Sequence, residues 1–456
     1  MSRDTVPPPV AHPTSGPAQD AAPAPVAHPA SGPVRHAVAE PVRVVFYSHD
    51  SQGLGHFRRN RALAHALAGG LPGLTGRQVT GLLVNGVAGT SGASVPDGFD
   101  VVTLPAVGKS GTGYGPRNLG IGMAAVTGLR SEIVRATLNA FAPDLVVVDR
   151  HALGVDGELA PALAELRATR AGARTVLGLR EVLDDPSAVA AEWSRTPASV
   201  VRELFDEIWV YGDPRVHDLR TTGELPEALH DLARYQGYLS HGRAEDPDDL
   251  HPERPYLITT AGGGGSDGVA LCLAAAAAPV PAGHRHVVVT GPQMADADHR
   301  SVELAAGPRT RVVRSVPDAG GLIRQAVAAV SMAGYNTVAE SMATDVPALL
   351  VPREWPRREQ LIRAEGLAEA GAADVLRQRD LSPARIGDWW AGAVDRRVDR
   401  SHLDLAGLSA VVRSTVRLTC DGAATSTATS ARVDHLADAT AYPIPAARSE
   451  ELRHAG

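Results

Sequence analysis

Apolar and polar positions along the chain form two blocks, and each block repeats a short apolar strand followed by a helical segment. The first block covers residues 41–236, and its clearest strands are Val42–Tyr47 and Asp144–Asp149. The second block covers residues 255–380 and begins with the strand Tyr256–Thr260. Strands that alternate with helices indicate parallel βαβ units. We therefore predict an α/β protein with two doubly wound, Rossmann-like domains and a cleft between them.

The remaining elements follow the same alternation. Further strands are predicted at Val79–Val84, Val101–Leu104, Thr175–Leu179, Glu207–Tyr211, His286–Thr290, Thr310–Val313, Ala326–Ser331 and Ala348–Val351. Helices are predicted at His56–Leu67, Glu158–Arg167, Val200–Phe205, Glu359–Gly371 and Pro383–Val398. The polar, Asp/Pro/His-rich residues 237–254 are predicted to be a linker between the two domains.

Both ends of the chain differ from the body in composition. Residues 1–40 are rich in Pro and Ala and repeat the pattern PVAHPTSGP as PVAHPASGP, and residues 417–456 are rich in Ala, Thr and Ser. Such segments bury too little apolar surface to order themselves. We predict that both are disordered tails.

Composition limits the functional classes. A net charge of −7, a pI of about 6.2 and an aromatic content of 4% argue against nucleic-acid binding. Two cysteines cannot form a disulfide framework. The longest apolar run, Val269–Val280, is shorter than the roughly 20 residues that span a bilayer. The chain is predicted to be cytoplasmic, and a peripheral contact with a membrane stays open.

A glycine-rich motif, SHDSQGLGHFRR, directly follows the first strand. Gly53 and Gly55 permit tight turns, and His56 then falls at a helix start that faces the predicted cleft. A positive helix end lowers the pKa of a histidine and keeps it able to accept a proton. We predict that His56 is a general base, with His49 and Asp149 on the acceptor side; the alternative is that His56 only caps the helix.

Two loops of the second domain are suited to bind phosphate. The first strand of this domain is followed by a run of four glycines and a serine, and successive N–H groups in such a loop can converge on an anion. These residues are Gly262, Gly263, Gly264, Gly265 and Ser266. Further on, Gly334 opens a helix that carries Asn336, Thr337 and, one turn later, Glu340. The unpaired N–H groups of a helix start favour phosphate.

Several other motifs do not hold up. The four-glycine loop lacks the G-x-G-x-x-G fingerprint of a dinucleotide site. Asp246-Pro247-Asp248 lies in the predicted linker rather than at a strand end, and no His/Cys cluster has zinc spacing. We therefore predict no metal and no cofactor.

The stretch from Ser331 to Val375 resembles the donor-binding half of GT-B glycosyltransferases. It is most similar to the glycosyltransferase 28 family, which contains the peptidoglycan N-acetylglucosaminyltransferase that forms lipid II, and to a set of predicted glycosyltransferases. The resemblance implies that Glu340 binds the ribose hydroxyls, that Gly334 lies by the diphosphate, and that Gln360 touches the donor sugar. It also places the backbone of Val316 near the nucleobase.

Two positions depart from the pattern of the lipid II-forming enzyme. Met332 stands where that enzyme has an arginine, and Glu359 replaces the first glutamine of its Gln pair. Both changes leave the identity of the donor open. GT-B enzymes also return their last helices to the first domain, so residues 381–416, with Trp389-Trp390, are expected to pack back across the cleft.

The resemblance implies the metal-independent, inverting transfer of a hexose or N-acetylhexosamine from a nucleotide-diphosphate sugar, with a UDP-sugar favoured. The nucleotide sugar is then a co-substrate, and the acceptor is a small molecule, a lipid-linked sugar or a glycan. Two alternatives remain. The Gly-x-Gly-His-Phe-Arg loop is also similar to that of UDP-sugar hydrolases of pseudaminic acid synthesis, which use water as acceptor. The second alternative is that the chain is a non-catalytic nucleotide-sugar-binding protein.

Overall fold

The computed structural model describes residues 40–49, 55–87, 94–110, 113–244, 250, 252–253, 255–263 and 265–420. Nearly all of both predicted tails therefore lies outside the described residues. One part of the prediction is wrong, because Arg417–Thr419 belong to a helix.

Within the described part of the first block, seven parallel strands form one sheet, and two short antiparallel strands form a separate hairpin. The strands are β1 (Val42–Ser48), β2 (Val79–Asn85), β3 (Phe99–Thr103), β4 (Val107–Ser110), β5 (Gly113–Pro116), β6 (Leu145–Asp149), β7 (Arg174–Arg180), β8 (Glu207–Tyr211) and β9 (Ala233–Tyr235). The sheet order is β3-β2-β1-β6-β7-β8-β9, and β4 pairs with β5. The helices are α1 (Gly55–Thr75), α2 (Met123–Phe141), α3 (Ala160–Thr169), α4 (Pro186–Trp193) and α5 (Ala198–Leu204).

The described residues of the second block form a sheet of six parallel strands. They are β10 (Tyr256–Thr260), β11 (Arg285–Val289), β12 (Thr310–Val313), β13 (Ala328–Ser331), β14 (Ala348–Leu350) and β15 (Asp374–Val375), in the order β12-β11-β10-β13-β14-β15. The helices are α6 (Val269–Ala276), α7 (Asp296–Ala305), α8 (Ala319–Gln325), α9 (Tyr335–Met342), α10 (Glu359–Glu369), α11 (Pro383–Ala393) and α12 (Gly407–Thr419). Both sheets thus have the doubly wound order, and the predicted α/β fold class is confirmed.

The central strands are mostly apolar and buried because helices cover both faces of each sheet. In β1, Val44 and Phe46 pack into one core cluster, and Val45 and Tyr47 pack into another. Successive side chains of a strand point to opposite faces. One face of the first sheet is covered by α1 and α12, and the other is covered by α2, α3 and α5.

Helix α1 is longer than the sequence pattern predicts, because it continues past Leu67 to Thr75 through three glycines and Pro72. Its extra turns carry Leu71, which is fully buried. A Cβ atom at Gly70 would lie 3.2 Å from the Cγ atoms of Val412 on α12, so the glycine permits close packing of the two helices. Tertiary packing outweighs the low helix propensity of glycine and proline here.

The chain returns to the first domain through α12, which begins within the predicted residues 381–416, but the helix that carries Trp389-Trp390 does not take part in this return. Trp390 on α11 packs in the core of the second domain, where its ring lies 4.6 Å from that of His286. Helix α12 packs instead on α1, with Val411 and Val412 in the same cluster as Leu67.

The beginning of the predicted linker is part of this return. Tyr238 and Leu239 are fully buried, and the backbone N–H of Tyr238 donates to the carbonyl of Asp404 at 2.8 Å. The backbone N–H of Leu239 donates to the hydroxyl of Tyr335 at 3.2 Å. These residues therefore connect the first domain to α9 rather than forming a solvated loop.

Candidate active site

The candidate residues meet where the strand order of each sheet reverses. In the first sheet β1 and β6 are neighbours, and Ser48 pairs with Asp149 at their carboxyl ends. In the second sheet β10 and β13 are neighbours, and Thr260 pairs with Ser331. The chain leaves such strands in opposite directions, and the crevice that results is where doubly wound sheets bind ligands.

At the first of these edges, His56 is the second residue of α1 and faces the end of β6. Its Nδ1 lies 3.3 Å from Oδ2 of Asp149 and 2.9 Å from Nη2 of Arg59. Arg59 also donates to both carboxylate oxygens of Asp149 at 2.6 Å. Burial alone would raise the pKa of Asp149, but the charges of Arg59 and His56 hold it well below its usual range. Asp149 is therefore ionised at neutral pH.

The ring nitrogen of His56 that carries the proton determines whether the imidazole can act as a base. A hydrogen bond from Nδ1–H to Asp149 leaves a lone pair on Nε2, which can then take a proton. The Arg59 contact instead needs the lone pair on Nδ1, which puts the proton on Nε2. The side chain is 21% exposed, so the ring remains accessible from the cleft. Only the first of these tautomers gives a histidine base oriented by a carboxylate.

Two more imidazoles lie beside His56. The His49 ring is 4.5 Å from that of His56 and 4.3 Å from that of His151. Burial, followed by the charges of His151 and His56, lowers the pKa of His49 well below its usual value. Burial and the charge of Arg150 lower the pKa of His151 to about 3. Both rings are therefore neutral near pH 7, and the predicted neighbour His49 does lie against His56.

At the second edge, the glycine-rich loop follows β10 and adopts backbone conformations that favour glycine. Gly262 has φ +67° and Gly265 has φ +102°. A Cβ atom at Gly262 would lie 3.5 Å from the hydroxyl oxygen of Thr337, so the loop adjoins the start of α9. Gly263 and Ser266 belong to the same loop, whereas Gly264 of this loop and Gly53 of the first domain lie outside the described residues.

Helix α9 begins after Gly334 and is buried along its length. Glu340 is 7% exposed, and its Oε1 accepts from Arg58 at 2.7 Å and from Arg243 at 3.4 Å. Its Oε2 is buried and has no hydrogen-bond partner in the described structure. The side-chain amide of Asn336 donates to the carbonyl of Gly55 at 2.8 Å. The start of α9 therefore touches the start of α1, and the predicted donor and catalytic residues lie together.

The other predicted donor residues lie on neighbouring loops. Oε1 of Gln360 accepts from the backbone N–H of Arg353 at 3.2 Å. Glu359 pairs with Arg353, and its Oε2 is buried without a partner in the part of the chain described. Val316 packs partly buried beside the second-domain core. Met332, one of the departures from the family pattern, is buried in that core.

Sequence reasoning missed the arginines that join the two domains. Arg363 on α10 donates to Glu181 at 2.6 Å, both side chains are fully buried, and Arg363 also donates to the carbonyl of Ala333 at 3.0 Å. Arg58 was visible in the motif, but its partner lies 282 residues away. Arg150, directly after Asp149, has φ +72°, an unusual conformation that occurs often at functional sites.

A shallow cleft opens beside Glu340. It is lined by Arg58 and His65 of α1, Arg243 of the linker, and Pro317 and Gly320 of the second domain. Both domains therefore contribute to its walls, and it adjoins the segment predicted to hold the nucleobase.

Among the described residues, no cluster of three or more His, Cys, Asp or Glu side chains is arranged to hold a metal ion. In the same part of the chain, none of the helices has the length and apolar character needed to cross a membrane.

Comparison with protein families supports the second-domain assignment. Residues 264–388 match the family model described as the glycosyltransferase family 28 C-terminal domain. A UDP-N-acetylglucosamine–N-acetylmuramyl-(pentapeptide) pyrophosphoryl-undecaprenol N-acetylglucosamine transferase of Burkholderia cenocepacia is 36% identical over 97 residues, which is 21% of this chain and 26% of that protein. The chain thus matches about a quarter of this relative's length. The Burkholderia multivorans protein of the same name is 29% identical over 251 residues, 49% of this chain and 67% of that protein.

Solved structures support the fold of the whole body. The spinosyn forosaminyltransferase SpnP has a TM-score of 0.51 at 16% identity, covering 82% of this chain and 94% of that one. The glycosyltransferase SnogD from Streptomyces nogalater has a TM-score of 0.50 at 17% identity, and the match covers 83% of this chain and 95% of that one. At this identity the likeness shows the fold alone. It extends over both doubly wound domains.

Proposed function

We propose that this chain, whose two doubly wound domains have the GT-B fold, is a glycosyltransferase similar to the lipid II-forming N-acetylglucosaminyltransferases. One observation carries the proposal. Gly55, the residue before His56, accepts a hydrogen bond of 2.8 Å from Asn336 at the start of α9, and His56 in turn lies 3.3 Å from Asp149. A candidate base of the first domain and a helix end suited to phosphate in the second are therefore neighbours.

In this proposal the second domain binds a nucleotide-diphosphate sugar. The diphosphate lies at the N-terminus of α9 and the Gly262–Gly265 loop, where backbone N–H groups stabilise its charge. The buried Oε2 of Glu340 accepts from the ribose hydroxyls, since it has no other partner in the described structure. Gln360 contacts the donor sugar, and the backbone of Val316 contacts the base.

The proposed reaction is an inverting displacement. Nε2 of His56 takes the proton of the acceptor hydroxyl, while Asp149 accepts the hydrogen bond from Nδ1–H and stabilises the imidazolium. The acceptor oxygen bonds to the anomeric carbon as the bond from that carbon to the diphosphate oxygen breaks. The nucleoside diphosphate leaves with the electron pair. Because its charge is met by helix-end N–H groups, we expect no metal or resident cofactor to be needed.

The names of the relatives guide the choice of donor. Proteins named as UDP-N-acetylglucosamine transferases match between about a fifth and a half of the chain, which favours a UDP-linked hexose or N-acetylhexosamine. The acceptor class stays open between a small molecule, a lipid-linked sugar and a glycan. Both cysteines are free, which supports a reducing compartment, and we propose the cytoplasm.

A thermal-shift screen with UDP-, GDP-, dTDP- and ADP-sugars tests donor binding. A ligand at 100 times its Kd stabilises the native state by about 2.7 kcal/mol, which is readily seen. The donor is then incubated with and without an acceptor panel. Transfer supports the proposal; rapid hydrolysis without acceptor would identify a nucleotide-sugar hydrolase, and tight binding without turnover would identify a binding protein.

A further inference from the structure

Arg180 is a cation at the active-site edge of the first domain that the proposed mechanism does not use. It is the last residue of β7, next to β6, whose end carries Asp149. The charges that act on it come from both domains, namely those of Glu359 and Arg363 on α10 and those of Arg59 and Arg150 in the first domain. The charge of Arg180 also contributes to lowering the pKa of His49. The strand register thus places Arg180 at the same sheet edge as Asp149, and the charge of Glu359 acts on it from the second domain.

The carboxylates around the active-site edge of the first domain and the start of α10 are already paired with other arginines. These pairs are Asp149 with Arg59, Glu181 with Arg363, Glu192 with Arg150 and Arg357, Asp184 with Arg357, and Glu359 with Arg353. Within the described residues, no hydrogen bond or ion pair reaches the Arg180 guanidinium, and its Nε is buried without a partner. Arg180 therefore has no ion-pair partner among the described residues, whereas the neighbouring carboxylates do.

Two further buried polar atoms in this region also lack a partner. They are Nδ1 of His49, whose side chain is 7% exposed, and Oε2 of Glu359, whose side chain is 5% exposed. Burial, together with the charges of the neighbouring arginines, lowers the pKa of Arg180 to about 10 against the opposing charge of Glu359. Even so, Arg180 is a cation at neutral pH. The Arg180 side chain as a whole is only partly buried, but its Nε is out of contact with water and unpaired, and a bound anion would give it a partner.

We propose that Arg180 binds a carboxylate or phosphate group of the acceptor, close to the hydroxyl that is glycosylated. This rests on the proposed function and makes the acceptor an anionic molecule. A guanidinium is suited to such a group because it can donate two parallel hydrogen bonds. The acceptor is the better source than the donor, since the diphosphate has its own partners in the second domain. Arg180 instead belongs to the first-domain strand beside His49 and Asp149.

The first test needs no substrate. Arg180→Met removes the charge and keeps most of the volume, and the melting temperature is measured in a buffer without multivalent anions. If Arg180 is an unsatisfied binding residue, the variant is as stable as the wild type or more stable. A loss of several degrees would show that Arg180 is held by Glu359 as a structural pair and would overturn the proposal.

The second test uses inorganic phosphate in the presence of saturating UDP, which fills the diphosphate site. Phosphate should raise the melting temperature of the wild type above that in sodium chloride of equal ionic strength. Arg180→Met should lose this shift, and Arg202→Met, which removes a surface arginine of α5, should keep it. No phosphate shift in the wild type, or an equal shift in Arg180→Met, would contradict the proposal.

The affinity for UDP shows whether the anion that Arg180 binds belongs to the acceptor or to the donor diphosphate. We expect Arg180→Met to bind UDP within about twofold of the wild type, whereas a loss of about tenfold or more would assign Arg180 to the donor phosphates. If the wild type binds no nucleotide at all, the proposed function fails. The phosphate comparison is then made in nucleotide-free protein and still decides whether Arg180 holds an oxyanion.

Discussion

The two edges at which the strand order reverses share one topology but carry different chemistry. The edge of the second domain is built from glycines and a helix start, with Gly262, Gly265 and Gly334 presenting backbone groups. The edge of the first domain is built from charged and titratable side chains, with Asp149, Arg59 and His56 in direct contact. The same fold thus offers a backbone cradle suited to phosphate in one domain and side chains suited to proton transfer in the other.

The two edges form one site because α1 and α9 meet at their N-termini. Arg58 of α1 reaches Glu340 of α9, and Asn336 of α9 reaches the carbonyl of Gly55. The Arg363–Glu181 pair beneath them is fully buried. Removing one partner of such a pair costs about 3–5 kcal/mol, so the contact between the domains is specific.

The largest effect is expected at the charged edge. His56→Ala should reduce turnover by roughly 10²–10⁴, the usual contribution of a positioned general base, with little change in donor affinity. Steady-state kinetics with saturating donor measures this. His402→Ala, which removes an exposed imidazole, is the control.

Near-normal turnover in His56→Ala would contradict the assignment and leave His56 as a helix cap. A loss of turnover confined to Asp149→Asn would then identify the carboxylate as the base. Because Asp149 is the buried partner of Arg59, its variant must be compared at a temperature where it is folded.

The next effect is expected at the backbone edge, where Glu340 is the proposed side-chain contact to the donor. Glu340→Ala should weaken donor binding by roughly 10- to 150-fold, corresponding to the 1.5–3 kcal/mol of a hydrogen bond to a charged group. Calorimetric titration with UDP and a UDP-sugar measures it, with the exposed Glu369→Ala as control. Unchanged affinity in the folded variant would remove Glu340 from the site.

The difference between the edges also explains what the sequence could predict. Strand positions and glycine loops are local patterns, so β1, β6 and the Gly334 helix start were found from periodicity. The ion pairs of Glu340 and Arg363 join residues 282 and 182 positions apart, which periodicity does not register. The return of α12 was assigned to the Trp390 helix because tryptophans suggest packing but not the surface on which they pack. The end of α1 was predicted too early because Gly70 and Pro72 disfavour a helix locally, and the packing on α12 that outweighs them is not visible in the sequence.

Buried histidines make the stability of the protein depend on pH. His286 is fully buried and contacts the hydroxyl of Thr259 at 2.9 Å. Burial lowers its pKa to about 3. Its folded pKa lies below the unfolded value of about 6.5, so the unfolded chain binds more protons between these two values. Stability therefore falls as the pH falls below about 6.5, by up to about 1.4 kcal/mol per pH unit for this histidine.

Urea unfolding between pH 7 and pH 5 measures this dependence. His286→Gln should reduce the slope of unfolding free energy against pH by up to about 1.4 kcal/mol per unit, with the exposed His402→Gln as the matched removal of an imidazole. His49 and His151 at the charged edge should contribute in the same direction, since burial lowers the pKa of both. An equal slope in the wild type and His286→Gln would contradict the shift.

The smallest effect is expected where the two edges touch. Arg58 is 35% exposed, so its ion pair with Glu340 is partly screened and contributes at most about 1 kcal/mol. Arg58 occupies Oε1 of Glu340 and leaves Oε2 open, which means that it orients the carboxylate without blocking it. Arg58→Ala should therefore weaken UDP binding by up to about fivefold and leave the melting temperature nearly unchanged. Arg135→Ala, which removes a surface ion pair of α2, is the control. Tighter UDP binding in Arg58→Ala would show that Arg58 holds the ribose position and must leave before the donor enters.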